Sequence, residues 1–201
     1  MPKQDPAKPE FWEQRFRDNF TPWDAGGVPS VLGQFLRTEP RGRRVLIPGC
    51  GSGYEVRAFA EAGHDVLAVD FAPAAVERAQ KILGTLSARV RLADFFEAEF
   101  GANYDLVYER AFLCSLPRSL RPRYVRRALD LLSPQGRLAG FFFFEDGERG
   151  PPFGLKRGEL DVLLGARFEQ TADVAVHDSI PIFAGKERWQ VWKVRSTSQS
   201  L

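Results

Sequence analysis

The chain has 201 residues, 44% hydrophobic and 27% charged, a length and composition typical of one globular domain and not of a disordered chain. Its formal net charge of +2 gives no general attraction to phosphate backbones, so we expect a small-molecule partner and no nucleic acid. The apolar runs are too short to cross a membrane and the polar, Pro-rich start does not resemble a signal peptide, so we expect a cytoplasmic protein with no membrane partner. We also expect a monomer.

The N-terminal part is predicted to be helical. Helices are predicted at 9–19 and 30–38, and the loop between them is rich in Pro and Gly and carries Trp23 and Asp24. We expect this part, over 1–42, to form a lid on a binding site.

From residue 44 onward, predicted strands and helices alternate. The strands are predicted at 44–48, 65–69, 89–93, 104–108 and 137–144, and the helices at 52–62, 73–86 and 121–132. Two further strands, near 175–176 and at 188–194, have no helix between them, which predicts an antiparallel edge hairpin joined through 184–186. This order predicts a single α/β domain over 1–201, with a mostly parallel central sheet and helices on both faces.

The run Phe141 to Phe144 has no polar alternation, as expected of a central strand covered on both faces. Most of its rings are expected in the core, and Phe142 is assigned to the substrate side. A row of arginines precedes this strand. It is predicted to be a solvated helix face, with phosphate binding as the alternative, and comprises Arg118, Arg121, Arg123, Arg126 and Arg127.

The first predicted strand runs directly into a loop with glycines at 49, 51 and 53, followed by a helix. Glycines allow tight bends and close approach of the backbone to a ligand, and the helix offers free amide donors. The dinucleotide pattern G-x-G-x-x-G would need a glycine where Tyr54 stands, so the spacing favours a cofactor that lacks a pyrophosphate.

Acidic residues follow the next two predicted strands. Asp70 can accept hydrogen bonds from both hydroxyls of a ribose, although it could simply be a helix N-terminal acid before Pro73. Asp94 can accept the amino group of an adenine against which Phe95 packs. The glycine loop, Asp70 and Asp94 therefore all lie at strand ends on one rim of the sheet, where open α/β sheets bind ligands.

This order of glycine loop, Asp70 and Asp94 resembles the class I S-adenosylmethionine-dependent methyltransferases, which have a Rossmann-like fold, over roughly 43–145. Further strings are similar to the thiopurine S-methyltransferase family, in which the plant halide and thiol methyltransferases share the Thr-Pro-Trp-Asp and Pro-Gly-Cys-Gly strings. They are Phe-Trp-Glu-Gln-Arg-Phe at 11–16, Thr-Pro-Trp-Asp at 21–24, Glu-Arg-Ala-Phe at 109–112, Gly-Pro-Pro-Phe at 150–153, Ile-Pro at 180–181 and Gly-Lys-Glu at 185–187. The resemblance covers about 9–194.

The resemblance implies S-adenosylmethionine as cofactor and methyl transfer to a small soft nucleophile, most simply a thiol. The residues implied around the cofactor are Trp12, Phe16, Trp23, Gly49, Gly51, Asp70, Asp94, Phe95 and Arg110. Arg110 and Glu109 are the implied catalytic residues, and Trp23, Phe142 and Phe153 are assigned to the substrate. The core over 43–145 would bind the cofactor and 146–201 would form the substrate side.

Two positions depart from the family pattern. Phe16 stands where a second tryptophan is expected, and Glu109-Arg110 follows the thiopurine enzymes where the halide and thiol enzymes place an aromatic residue after the acid. A halide or chalcogen-oxyanion acceptor and a non-catalytic binding module remain alternatives. Arg110 could orient the acceptor and favour its thiolate form, or could pair with Glu109 or another acid.

Metal chemistry is not expected. Cys50 and Cys114 form no CxxC pair, and His64 and His177 are isolated in the sequence. Both cysteines are therefore expected to be small core residues.

Overall fold

The computed structural model describes residues 5–196. The ends of the predicted domain, 1–4 and 197–201, lie outside this range. The helices are α1 (Pro9–Arg17), α2 (Ser30–Thr38), α3 (Tyr54–Glu61), α4 (Pro73–Leu83), α5 (Arg121–Leu131) and α6 (Glu159–Leu164). The strands are β1 (Arg44–Pro48), β2 (Asp65–Asp70), β3 (Val90–Leu92), β4 (Tyr104–Arg110), β5 (Leu132–Phe143), β6 (Phe168–Ala175) and β7 (Glu187–Val194).

The strands form one sheet in the order β3-β2-β1-β4-β5-β7-β6. Strands β1 to β5 pair in parallel, while β7 is antiparallel to both β5 and β6. The sheet confirms the predicted Rossmann-like α/β fold with an antiparallel C-terminal edge. Because the chain order reverses between β1 and β4, the carboxyl ends of these two strands open a crevice of the kind in which α/β sheets bind ligands.

Helices cover both faces of the sheet. On one face, Leu32 of α2, Phe59 of α3 and Val76 of α4 pack on the strands. On the other face, Tyr124 of α5 and Leu160 of α6 do so. The central strands β1, β2, β4, β5 and β7 therefore contribute alternate side chains to two separate cores, as a sheet with period-two side chains must.

The first three rings of the phenylalanine run, Phe141 to Phe143, are the last residues of β5, which lies between β4 and β7 in the sheet, and Phe144 follows the strand. Phe141 packs against Trp189 on the α3 face, Phe142 packs on the opposite face, and Phe143 contacts Phe183 near the strand end. All three rings are buried. The prediction of a central strand covered on both faces is therefore confirmed.

Several boundaries differ from the predictions for local reasons. Helix α1 ends at Arg17 because Asn19 adopts a positive φ of 53°, and α4 ends before Gly84, where a 3-10 turn begins. Strand β6 begins at Phe168, well before the predicted 175–176, and its side chains are mostly exposed, so the sequence shows no alternation there. The β6–β7 connection consequently spans 176–186 rather than a three-residue turn.

Helix α6 was not predicted. It has only six residues, which is too short to show a clear helical period. Among residues 5–196, no helix is both long enough and apolar enough to cross a membrane.

Candidate functional site

A cavity of about 450 Å³ opens at the carboxyl ends of the parallel strands, beside the β1–β4 reversal. All of the residues predicted to surround the cofactor line this cavity. They are Trp12, Phe16, Trp23, Gly49, Gly51, Asp70, Asp94, Phe95 and Arg110. The chain therefore gathers side chains from α1, the loop after it and four strand ends around one space.

The glycine loop forms the cavity wall at the end of β1. Gly49 has a φ of 58°, a conformation that L side chains rarely adopt. A Cβ atom on Gly49 would also lie 2.3 Å from Cδ2 of Phe112, which is closer than carbon atoms approach. Glycine is therefore required here both by backbone conformation and by lack of space.

Asp70 ends β2 and is 7% exposed. Its Oδ2 accepts a hydrogen bond from the Gly51 amide at 3.0 Å, and its Oδ1 accepts one from the Ala72 amide at 3.0 Å. Burial raises the pKa of Asp70 to about 6, against the lowering effect of these amide donors. The carboxylate is thus held at a fixed angle at the cavity wall and ionises near neutral pH.

Asp94 follows β3 and lies beside a group of aromatic rings. Its Oδ1 accepts a hydrogen bond from the Phe96 amide at 2.7 Å. The Phe95 and Phe112 rings meet edge to face at 5.5 Å, and Phe96 stacks with Phe112 at 6.5 Å. A carboxylate next to aromatic faces is a suitable environment for a flat, nitrogen-rich ring.

The N-terminal segment closes another side of the cavity. Trp23 meets Trp12 at 5.4 Å and Phe16 at 6.0 Å, both edge to face. The segment is anchored to α4, because Arg78 donates to the Phe16 carbonyl at 2.8 Å and the Glu13 carboxylate accepts from the Ala74 amide at 2.7 Å. An aromatic wall is thereby built from residues that precede the sheet in the chain.

Arg110 ends β4 and pairs with an acid, but the acid is not Glu109. Its guanidinium donates to Oε1 of Glu55 at 2.9 Å and to the Gly27 carbonyl at 3.1 Å. Burial alone would lower the pKa of Arg110, and the Glu55 carboxylate makes the net shift upward, so the guanidinium stays charged. Arg110 thus joins α3 to the loop that carries Trp23.

Glu109, predicted to be catalytic, does not line the cavity. It is 1% exposed, and its Oε1 accepts hydrogen bonds from the Phe112 and Leu113 amides, both at 2.9 Å. Burial raises its pKa to about 8. Its position makes Glu109 a support for the turn after β4, which places the Phe112 ring at the cavity, and its catalytic role stays a prediction.

Two predicted substrate residues also lie away from the cavity lining. Phe142 points into the core on the α5 side of the sheet, because strand alternation turns it away from Phe141 and Phe143. Phe153 does not line the cavity, and its amide donates to the Cys114 carbonyl at 2.6 Å. The adjacent Pro151 and Pro152 line the cavity instead.

Part of the lining was not predicted from the sequence and is mostly apolar. We call this part, together with the predicted Trp23, the apolar wall. Its other residues are Cys114, Leu116, Pro151, Pro152, Ile182 and Phe183. Cys114, Phe183, Ile182 and Trp23 pack in one cluster. The wall combines the turn after β4, the loop after β5 and the β6–β7 connection, so no short sequence motif could have identified it.

Two acidic residues of the lining were also missed. Oδ2 of Asp24 accepts a hydrogen bond from the Ser52 hydroxyl at 2.5 Å, which ties the Trp23 loop to the glycine loop. Glu55 lies in the first turn of α3 and faces Arg110. Asp24 stands in the Thr-Pro-Trp-Asp string, which was the one available signal. Within residues 5–196, no cluster of His, Cys, Asp and Glu is arranged to hold a metal ion.

The chain is similar to known proteins over almost its whole length. A family model described as thiopurine S-methyltransferase matches residues 7–197. A probable thiol methyltransferase 2 of Arabidopsis thaliana is 32% identical, with 94% of this chain and 87% of that protein covered. A thiopurine S-methyltransferase of Pseudomonas putida is also 32% identical, with 88% and 92% covered.

A similar solved structure has the same fold. It is the 1,6-didemethyltoxoflavin-N1-methyltransferase of Burkholderia thailandensis, crystallised with its substrate and S-adenosylhomocysteine. The TM-score is 0.75 at 22% identity, and the match covers 96% of this chain and 92% of that one.

Proposed function

The chain belongs to the thiopurine S-methyltransferase family and is an S-adenosylmethionine-dependent S-methyltransferase, and from this premise we propose how its cavity is divided and which acceptor it takes. We propose that the glycine-loop side holds S-adenosylmethionine and that the apolar wall holds a small thiol with an apolar body. The monomeric state, the cytoplasmic location and the lack of a nucleic-acid partner stay predictions from the sequence.

The residues on the glycine-loop side fit the cofactor. Gly49 lets the Phe112 ring pack directly on the backbone of the glycine loop, since a Cβ there would lie 2.3 Å from Cδ2 of Phe112. In this proposal Asp70 accepts the ribose hydroxyls, and Asp94, with the Phe95 and Phe112 rings beside it, holds the adenine. When bound, the cofactor supplies a methyl group already activated by a positively charged sulfur.

The charged sulfur needs a matching environment. Trp12, Phe16 and Trp23 present aromatic rings to the cavity, and the carboxylate of Asp24 lies in its lining, whereas the charge of Glu55 is matched by Arg110. Aromatic faces and carboxylates stabilise a cation that has lost part of its hydration. We therefore propose that the N-terminal segment completes the cofactor site as a lid and excludes water from it.

The choice of acceptor rests on one observation, which is that every arginine lining the cavity in the described part of the chain has a partner. Arg110 pairs with Glu55, Arg123 pairs with Glu97, and Arg15 donates to the Phe11 carbonyl. An inorganic anion would thus meet arginines that already have partners, and the carboxylates of the lining would repel it. A thiol with an apolar body would instead bury that body on the apolar wall, at roughly 25 cal/mol per Å².

In this proposal Arg110 and Glu109 act through other residues. Arg110 holds the Gly27 carbonyl and hence the loop that carries Trp23, and Glu109 supports the turn that carries Phe112. No side chain is required to take the thiol proton, because a thiol loses it to solvent as the pH approaches its pKa. The residues of the site need only align sulfur and methyl group in line.

A labelled-methyl assay tests the acceptor. Alkyl and aryl thiols of graded apolar size, iodide and bisulfide are compared at pH 7 to 9 by kcat/KM. We expect apolar thiols to exceed iodide and bisulfide by about tenfold or more, the equivalent of about 1.4 kcal/mol, and their rates to rise with pH until the thiol is ionised. More efficient methylation of iodide or bisulfide than of any thiol would contradict the proposal.

A further inference from the structure

The arginines in and just before α5 form only part of the solvated face that their spacing predicts. Arg123 and Arg126 are exposed, but four of the five arginines bind loops that wall the cavity. We call these four the arginine row; they are Arg118, Arg121, Arg123 and Arg127. Their partners are mainly backbone carbonyls about 30 residues away in the chain.

Two members of the row hold the loop after β5. Arg121 is 1% exposed and donates to the Phe153 carbonyl at 2.6 Å and the Gly154 carbonyl at 3.1 Å, while its other terminal nitrogen pairs with Glu159. Arg118 donates to the Gly147 carbonyl at 2.6 Å and also reaches Gly154 at 3.2 Å. The same loop carries Pro151 and Pro152 of the apolar wall.

The other two members hold the loop after β3. Arg127 donates from Nε to the Phe95 carbonyl at 3.1 Å and from a terminal nitrogen to the Ala98 carbonyl at 2.5 Å. Arg123 pairs with Glu97 at 2.5 Å, and its guanidinium lies 4.8 Å from the centre of the Phe96 ring. This loop places Asp94 and Phe95 at the cavity.

These bonds take the place of secondary structure. Residues 145–158 belong to no helix or strand, so their carbonyl groups need partners from elsewhere. A guanidinium presents several donors in a rigid fork and can bind two carbonyls at once, which an ammonium group cannot do with the same geometry. The backbone of this loop is held by the Phe144–Leu155 bridge and by the Phe153 amide on the Cys114 carbonyl, and the buried Arg121 adds bonds to the loop carbonyls in between.

We propose that Arg121 and Arg127 are positioning residues that separately set the two halves of the site, Arg121 for the acceptor and Arg127 for the cofactor. Arg121 binds the loop after β5, which carries Pro151 and Pro152 of the apolar wall. Arg127 binds the loop after β3, which carries Asp94 and Phe95. The assignment of the halves rests on the function proposed above. Since the two residues lie on one helix but bind different loops, their effects should separate.

The test compares Arg121→Lys and Arg127→Lys, with Arg126→Lys as the exposed control on the same helix. Calorimetry gives the Kd of S-adenosylmethionine, and initial rates at saturating cofactor give the KM of an apolar thiol. We expect Arg121→Lys to raise the acceptor KM about tenfold and to leave the cofactor Kd within about twofold. Arg127→Lys should do the reverse, and Arg126→Lys should change neither value.

Two further variants keep the result decisive. If Arg121→Lys does not fold, Arg118→Lys changes a less buried residue on the same loop and should give a smaller rise in acceptor KM alone. Glu159→Gln removes the charge beside Arg121 but not the carbonyl bonds, and should leave the acceptor KM unchanged.

Equal changes in Kd and KM for both Arg121→Lys and Arg127→Lys, or no change in either, would overturn the inference. A wild-type enzyme that methylates no thiol would instead reject the proposed acceptor. The Kd values would still show whether Arg127, and not Arg121, supports the cofactor side.

Discussion

The two sides of the cavity are built in different ways. On the glycine-loop side, carboxylates at strand ends accept hydrogen bonds from backbone amides of nearby turns. Asp70 accepts one from Gly51, and Asp94 accepts one from Phe96. On the apolar wall, loops are held by side chains from distant helices, above all Arg121. The cofactor side thus follows mainly from the strand ends, although Arg127 of α5 also holds the loop after β3. The acceptor side depends more on its loops, which can change and leave the sheet intact.

The largest expected effect comes from Gly49→Ala. The new Cβ would overlap the Phe112 ring and hold a positive φ, so we expect a loss of about 3 kcal/mol in unfolding free energy together with weak cofactor binding. Gly26→Ala is the matched control, because Gly26 also has a positive φ but has open space around it. Urea unfolding of both variants separates overlap from backbone strain, and equal losses in the two would refute the overlap.

Asp70→Asn should act on cofactor binding more than on folding. It removes the negative charge that the ribose hydroxyls would use, so we expect affinity for S-adenosylmethionine to fall by about 1.5 to 3 kcal/mol, or roughly 10- to 150-fold. Asp65→Asn at the other end of β2, where the side chain is exposed, is the control. Unchanged affinity in Asp70→Asn, measured by calorimetry, would remove Asp70 from the site.

The dependence of cofactor affinity on pH gives a second test of Asp70. Its pKa of about 6 predicts that affinity falls as the pH drops through 6, approaching about tenfold for each further pH unit. Stability of the unliganded protein changes in the opposite sense. Since burial raises the pKa in the folded state, the contribution of Asp70 to stability is greatest at low pH and is lost as the pH rises through about 6.

Calorimetry and urea unfolding between pH 5 and pH 8 measure these opposite trends. Asp70→Asn should remove the part of the pH dependence of cofactor affinity and of unfolding free energy that comes from the Asp70 carboxyl group. If the variant and the wild type gave identical profiles, the titrating group would be another one.

The smallest effect distinguishes the core from the apolar wall. Phe142→Leu and Phe183→Leu both replace a buried ring with a smaller side chain, and each should lower the unfolding free energy by about 1 kcal/mol. Only Phe183→Leu should change the KM of an apolar thiol, by about threefold to tenfold. An acceptor KM that responds to Phe142→Leu and not to Phe183→Leu would restore the original substrate assignment of Phe142.

The cofactor side was largely predictable because its pattern is local. A glycine loop after a strand and an acid after each of the next two strands must meet at one sheet edge in a parallel fold. The residues Gly49, Asp70 and Asp94 accordingly line one cavity. Alternating strands and helices likewise led to the correct sheet. The errors were the missed helix α6, the late predicted start of β6, and ends such as Asn19 and Gly84, where a single φ value ends a helix.

The acceptor side was not predictable in the same way. The partner of Arg110 is Glu55, which is far from it in the chain and joins it only through the β1–β4 pairing. The run at 141–144 predicts a buried strand but not which ring faces which core, so it could not show that Phe142 lies away from the cavity. The spacing of Arg118 and Arg121 is that of a solvated helix, and only the tertiary structure shows the carbonyls that they bind.

The most direct test of the divided cavity is amide hydrogen exchange with ligands added in two steps. S-adenosylhomocysteine alone should slow exchange at 49–53, at 70–72 and across the N-terminal segment at 11–28. Adding an apolar thiol should then slow exchange further at 111–116 and 153–155. Exchange at 11–28 and 49–53 that is equal with and without S-adenosylhomocysteine, or a thiol that protects only the glycine loop, would contradict the account.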